Sequence, residues 1–185
     1  QGRNAFGITG KESELIKIIS ETPFNGCIEL RCAYEKVVYT DKSYVTKNSN
    51  IMENWKVFTS KGNGGAGILT EGKKVAILGK SYIGKPQSAC TDSLIPIGSF
   101  KTEYEAISLN KYMSTKFLRM LVGILKVSQN VYQNVYQFVP LQDFTSSSDI
   151  DWSKSIPDID KQLYKKYELS DEEIEFIEKM IKPME

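Results

Sequence analysis

The sequence predicts an α+β fold: a small mixed or antiparallel sheet with packed helices, followed by a helical C-terminal tail. Two observations favour this class. In the N-terminal half, short runs rich in Val, Ile, Tyr and Thr alternate with turn residues, as is typical of strands. In the C-terminal half, apolar residues recur every three or four positions, which is the period of a helix with one buried face.

The N-terminal half is predicted to begin with a helix and to continue as a sheet. Residues 11–20 carry apolar side chains on one helical face, and Gly10 and Pro23 bracket this segment. Residues 62–67 predict a glycine-rich loop, and residues 84–86 a turn. Four segments have the composition expected of strands or strand pairs: residues 27–47, 55–59, 75–78 and 93–97.

The middle of the chain predicts an apolar helix. Thr102 and Glu105 have the spacing of a capping box, so a helix is expected from about residue 103 to residue 114. The apolar period continues toward Lys126, which indicates that this helix either extends or restarts. Basic residues at positions 111, 116, 119 and 126 are expected to make its opposite side positive.

A boundary is expected near residues 140–148, where proline is followed by a run of threonine and serine. Beyond it, residues 159–167 predict one helix, and Ser170 with Glu173 predicts the capped start of another. We therefore expect two parts: residues 1–144 as the main domain and residues 145–185 as an acidic helical tail.

The net charge of +1 hides an asymmetry between these parts. Residues 1–140 hold 18 Lys and Arg against 11 Asp and Glu, a balance of +7, whereas residues 141–185 hold 6 against 12, a balance of −6. A basic body suits a polyanionic partner such as nucleic acid. An acidic solvated tail on an ordinary domain would give the same asymmetry.

Composition excludes several other classes of protein. The sequence contains no histidine, so Ser–His and Cys–His nucleophilic catalysis is excluded within this chain. Its 3 cysteines are too few for a zinc site built from cysteine alone and are expected to be reduced thiols. We expect a cytoplasmic protein, because the sequence shows neither a long apolar run nor a secretion leader. The first residue is Gln1, which suggests a piece of a longer polypeptide.

Several segments of the sequence resemble a known protein family. The segment KYMSTKFLRMLVGILKVSQNVYQNVYQFVPLQDF, residues 111–144, resembles the end of the target recognition domain in DNA adenine methyltransferases of restriction–modification systems, including type IIG enzymes that also cut DNA. The resemblance continues through residues 148–184. Shorter similar segments are RNAFG (residues 3–7), WKVFTSKGNGGAG (residues 55–67) and CTDSLIPIGSF (residues 90–100).

The resemblance implies a module that reads double-stranded DNA for catalytic domains elsewhere in the parent chain. The sequence has no Pro-Pro, so the (N/D)PP(Y/F) motif that holds a flipped adenine is absent from it. The parent would use S-adenosylmethionine, and magnesium if it also cuts, whereas we expect neither cofactor to bind this fragment. Its partners would be DNA and the methyltransferase or nuclease portion of its own chain, with no membrane.

Candidate DNA contacts follow from residue chemistry. Lysine and arginine contact phosphates, and asparagine and glutamine can pair with adenine in the major groove. The first choice is the region around the glycine-rich loop, and the second is the basic side and the end of the long helix. The candidates are Lys56, Ser60, Lys61, Asn63, Lys116, Arg119, Lys126, Gln129 and Asn130.

Two alternatives remain open from the sequence. Asp41, Glu71 and Lys73 include the carboxylate–x–lysine spacing of magnesium-dependent nucleases, although such spacing also arises in an ordinary charged turn. The other alternative is a protein-interaction module of a multisubunit restriction complex, in which the acidic tail docks on a partner.

Overall fold

The computed structural model describes residues 4–62, 69, 72–126, 130–131 and 133–184. The fold is α+β, which confirms the predicted class. The chain divides into two compact units: the first contains residues 1–61 and 82–106, and the second contains residues 62–81 and 107–185. The predicted boundary between residues 144 and 145 falls within the second unit, and it stays a prediction.

Strands of the first unit form two sheets. One sheet has the order β1-β3-β2-β6, with β2 antiparallel to β3 and parallel to β6. The other has the order β5-β4-β7, with β4 antiparallel to β7. The strands are β1 (Ile19–Ser20), β2 (Cys27–Arg31), β3 (Val37–Asp41), β4 (Trp55–Ser60), β5 (Ser81–Gly84), β6 (Ser88–Cys90) and β7 (Leu94–Phe100).

The core of the first unit follows from the alternation of side chains along these strands. Ile28 and Leu30 on β2 and Val38 on β3 face the same side and are at most 1% exposed. Phe6 and Phe58 pack against this layer, with ring centroids 6.5 Å apart. Each such side chain stabilises the fold by about 1.5–3 kcal/mol through burial of apolar surface.

The prediction of a helix over residues 11–20 is wrong for most of its length. Only α1 (Glu12–Leu15) is helical, and β1 follows it. Ile19 pairs with Thr40 of β3, and the Thr40 hydroxyl donates to the Ile18 carbonyl at 2.7 Å. β-branched residues favour an extended backbone when a sheet edge is available, so the tertiary contact overrides the helical period.

The prediction of a strand over residues 75–78 is also wrong. Only an isolated parallel bridge joins Val75 to Ile181, and Ile77 has a positive φ of 64°, which a strand does not allow. A short apolar run has the same composition in a strand and in a buried irregular segment. The carbonyl groups of this segment are instead bonded by side chains of the second unit.

Two helices at the centre of the chain confirm the predicted helix and its restart. They are α3 (Glu103–Ser114) and α4 (Lys116–Leu125). Thr102 and Glu105 form the expected capping contacts. Thr115 lies between the helices, and its hydroxyl accepts the Leu118 amide at 3.2 Å, which begins α4.

The C-terminal segment forms the two expected helices, α5 (Ile156–Lys166) and α6 (Asp171–Met180). Ser170 and Glu173 complete the predicted capping box at the start of α6. Tyr112, Phe144 and Trp152 form an aromatic cluster with centroid separations of 5.4–5.9 Å. Within the described ranges, no helix has the length and apolar character needed to cross a membrane.

Candidate nucleic-acid interface

Lys56, a predicted DNA contact, lies inside the first unit. Its side chain is fully buried, and the ammonium group donates to the carbonyls of Met52 (2.8 Å), Asn54 (2.9 Å) and Lys85 (2.9 Å). Burial lowers the pKa of Lys56 from 10.5 to about 8. The expectation that Lys56 lies on the surface is therefore wrong, because three converging carbonyls hold its charge.

Arg119 and Lys126 are also withdrawn from the surface. The Arg119 guanidinium donates to the carbonyls of Thr115 (3.1 Å) and Ala76 (3.2 Å), and the Lys126 ammonium donates to that of Ile77 (2.7 Å). Residues 76 and 77 lie outside any strand. The Ala76 carbonyl accepts the Leu78 amide at 2.8 Å as well as Arg119, and the Ile77 carbonyl accepts Lys126. The expected positive side of the helix is thus incorrect at both positions.

The remaining candidate DNA contacts of the second unit lie in different surroundings. The Lys116 ammonium pairs with the Glu178 carboxylate and is mostly buried, at 15% side-chain exposure. Asn130 is exposed and pairs with Gly62 in an isolated antiparallel bridge. Asn63 and Gln129, both predicted contacts, lie outside the described residues.

Ser60 and Lys61 lie at the end of β4, where the glycine-rich segment begins. Both are partly exposed. The Lys61 amide donates to the Ser93 carbonyl at 3.1 Å, and its ammonium donates to the Asp92 carbonyl at 3.3 Å. These bonds place the Lys61 side chain against the β6–β7 connection while leaving part of it open to solvent.

The turn between β2 and β3 presents an aromatic side chain that sequence reasoning missed. Tyr34 is fully exposed, and both Tyr34 and Glu35 have positive φ, at 56° and 61°. The Lys36 amide closes the turn onto the Ala33 carbonyl at 3.3 Å. Such turns normally carry Asn-Gly, because other residues pay a steric cost of about 1–2 kcal/mol at positive φ. Strained backbone of this kind concentrates at functional sites.

Arg31 and Tyr82 stack beside this turn. The Arg31 guanidinium carbon lies 5.0 Å from the centroid of the Tyr82 ring, and the Tyr82 hydroxyl donates to the Glu35 carboxylate at 2.7 Å. Burial, together with the bond to Glu35, raises the pKa of Tyr82. The contacts hold arginine and tyrosine in fixed positions, which lowers the entropy that a ligand would have to remove.

The connection between β6 and β7 links this cluster to Lys61. The Thr91 amide donates to the Arg31 carbonyl at 3.0 Å, and Asp92, the next residue, accepts from Lys61. Arg31, Tyr34 and Lys36 lie at one end of the four-stranded sheet, Tyr82 of the three-stranded sheet stacks on Arg31, and Lys61 is linked to this end through residues 91 and 92. We call this set the hairpin-end surface: Arg31, Tyr34, Lys36, Lys61 and Tyr82.

The nuclease alternative gains no support from the described residues. Asp41 is exposed, and its carboxylate accepts the Ser43 amide at 2.8 Å, while Glu71 lies outside the described ranges. Among the residues that the structure describes, no group of three or more Cys, Asp or Glu side chains is arranged to hold a metal ion.

Comparisons with protein-family models, curated proteins and solved structures gave no match for this chain.

Proposed function

We propose that this chain is a sequence-specific double-stranded DNA recognition module of a restriction–modification enzyme. It would act in the cytoplasm and position DNA for an adenine methyltransferase domain, and for a nuclease domain if the parent also cuts, outside this chain. The resemblance of residues 111–144 supports the family. The observation that supports the DNA-binding surface is the fully exposed Tyr34 on a strained turn that follows Arg31 and precedes Lys36.

The chemistry of the hairpin-end surface supports this division of labour. Lys36 and Lys61 supply charge for phosphate oxygens, which sets the register of the module on the duplex. Tyr34 supplies a flat apolar face and a hydroxyl that can enter a groove. Arg31 can bond a guanine edge in two places if it leaves the Tyr82 ring and the Glu29 carboxylate, with which it pairs at 3.4 Å. Neutralising phosphates releases counterions, so affinity should fall steeply with salt.

Selection from a randomised duplex library, with the intact parent protein, tests whether a sequence is read. An enriched motif is expected. Binding of that motif by the chain itself is then measured by fluorescence anisotropy at several salt concentrations. Each phosphate contact contributes about −0.9 to the slope of log K against log salt concentration.

Two variants separate this surface from general positive charge. Tyr34→Ala should weaken binding about fivefold or more, because interface aromatics are frequent anchors. Lys36→Gln should reduce the steepness of the salt dependence by about one phosphate contact. Lys17→Gln is the matched control, since Lys17 is exposed and precedes β1 toward the other end of the same sheet, about 13 Å away along β2.

Two results would contradict the proposal. The absence of an enriched motif would exclude target reading. Equal losses in Lys36→Gln and Lys17→Gln would show that the chain binds DNA by diffuse charge and would remove the hairpin-end surface as its site.

A further inference from the structure

The second unit carries an apolar groove between α4 and α6 with a volume of about 440 Å³. Phe117, Met120 and Ile177 line its deeper part and are at most 6% exposed. Ile124 and Phe176 line its open part and are 56% and 52% exposed. Two large apolar side chains are thus left in water beside each other, which is a frequent mark of a protein contact surface.

Acidic residues border this groove. Glu172 and Glu173 line it directly. The α6 helix carries five carboxylates, on residues 171, 172, 173, 175 and 178, against one lysine at position 179. The cations of α4 do not offset this charge at the opening, because Arg119 is buried and Lys116 is paired with Glu178. The groove is therefore apolar within and negative at its border.

The shape of the groove favours a helix as its occupant. Side chains of α4 and α6 form its two sides, and a partner helix can place apolar residues at i, i+3, i+4 and i+7 between them. Met120 adds a flexible side chain that adapts to such residues. A small ligand usually requires a site that encloses most of its surface, whereas Ile124 and Phe176 leave this groove open.

From the groove and its charge, we propose that α4 and α6 form a docking site for a basic amphipathic helix of a second protein. The partner helix places Leu, Ile, Met or Phe side chains against Phe117, Met120 and Phe176, and its Lys or Arg side chains face Glu172. A second copy of this chain is the less complementary occupant, because its own α6 would bring like charges together. This site is separate from the hairpin-end surface and its use does not depend on DNA binding.

A synthetic peptide tests the proposal with the full chain. The probe is a fluorescein-labelled 18-residue helix with leucine at i, i+3, i+4 and i+7 and lysine elsewhere. A companion peptide carries glutamate in place of lysine. Anisotropy at physiological ionic strength, without DNA, should show saturable binding of the lysine peptide and at least tenfold weaker binding of the glutamate peptide.

Surface variants locate the binding. Phe176→Ser and Ile124→Ser should each weaken the lysine peptide at least tenfold, as expected for anchors at the centre of an interface. Phe138→Ser is the matched control, because Phe138 is 55% exposed and does not line the groove. Circular dichroism checks that each variant keeps its helices.

Charge reversal tests the border. Glu172→Lys should weaken the lysine peptide about two- to fivefold and strengthen the glutamate peptide, which is the range expected for one exposed charge. Glu175→Lys, on the same helix but outside the groove, should have a smaller effect. Glu173 is left unchanged because it caps α6.

Three outcomes would overturn the proposal. The first is equal binding of the two peptides, and the second is an equal effect of Phe176→Ser and Phe138→Ser. The third is a dimer of this chain, seen by sedimentation, that Phe176→Ser dissociates. The last result would assign the groove to a second copy. Failure of DNA binding would leave all three measurements unaffected, so the two proposals are tested separately.

Discussion

Replacing Lys56 by methionine should destabilise the first unit by about 3 kcal/mol. The change keeps the length and apolar part of the side chain but removes the ammonium group that bonds three carbonyls at 2.8–2.9 Å. Hydrogen bonds to charged groups contribute about 1.5–3 kcal/mol each, or about 4.5–9 kcal/mol for three. The cost of burying the charge offsets about 3 kcal/mol of this, since burial lowers the pKa from 10.5 to about 8. The difference is about 1.5–6 kcal/mol.

The lowered pKa of Lys56 also makes the free energy of unfolding of the first unit depend on pH. Above pH 8 the folded state loses the Lys56 proton while the unfolded state keeps it up to about pH 10.5, so the unfolded state binds more protons in this window. The free energy of unfolding of the first unit should therefore rise by about 3 kcal/mol between pH 8 and pH 10.5. The methionine variant should lack this rise.

Urea unfolding measures the effect. Hydrogen exchange of β4 peptides should be used to follow the first unit by itself. A loss of about 3 kcal/mol should lower the unfolding midpoint by about 1–3 M urea. Lys47→Met, at an exposed lysine of the same unit, should change stability by less than about 0.5 kcal/mol. If both variants are equally stable, the three carbonyl contacts do not stabilise the fold and our explanation for the burial of Lys56 is wrong.

Two further predictions concern other buried contacts. The Asp160 carboxylate accepts the backbone amides that begin α4, and burial raises its pKa from 3.8 to about 6, so the folded state binds its proton more tightly. Stability of the second unit should fall by about 3 kcal/mol from pH 4 to pH 6, and Asp160→Asn should flatten that slope in pH-dependent urea unfolding; an unchanged slope would contradict the assignment. Gly98→Ala should lower the melting temperature more than Gly26→Ala. Both glycines have positive φ (76° and 80°), but only at Gly98 would the new Cβ collide with a ring, that of Phe100. Equal shifts in a thermal scan would show that this ring moves aside freely.

Much of the fold could be predicted because capping residues and local patterns of apolar residues specify its helices and strands. The capping box at Ser170, the restart of the helix after residue 114 and the strands of residues 27–31 and 37–41 are each specified by neighbouring residues. The predictions failed where a residue distant in the sequence determines the backbone conformation. Ile19 joins a sheet edge through Thr40, and residues 76 and 77 are bonded by cations of α4 and of the residue that follows it.

The candidate site was less predictable, since the chemistry of a side chain does not reveal its direction. Sequence reasoning gave the same role to Lys56 and Lys61, but the first is enclosed by carbonyls and the second is partly exposed. Tyr34 went unnoticed because Tyr-Glu is not a usual turn pair. The only sequence signal was two short apolar runs separated by a few residues, which indicates a hairpin without showing what its tip presents.

The sequence by itself determined the α+β class, the helix starts and the charge of each segment, because these depend on local propensity and composition. Only the tertiary structure decided which cations reach solvent. Lys56, Arg119 and Lys126 fold inward because backbone carbonyls accept hydrogen bonds from them there, and a buried charge is costly unless it is hydrogen-bonded. The groove beside Phe176 likewise follows from packing between segments far apart in the sequence, since residues of α4 and α6 line it.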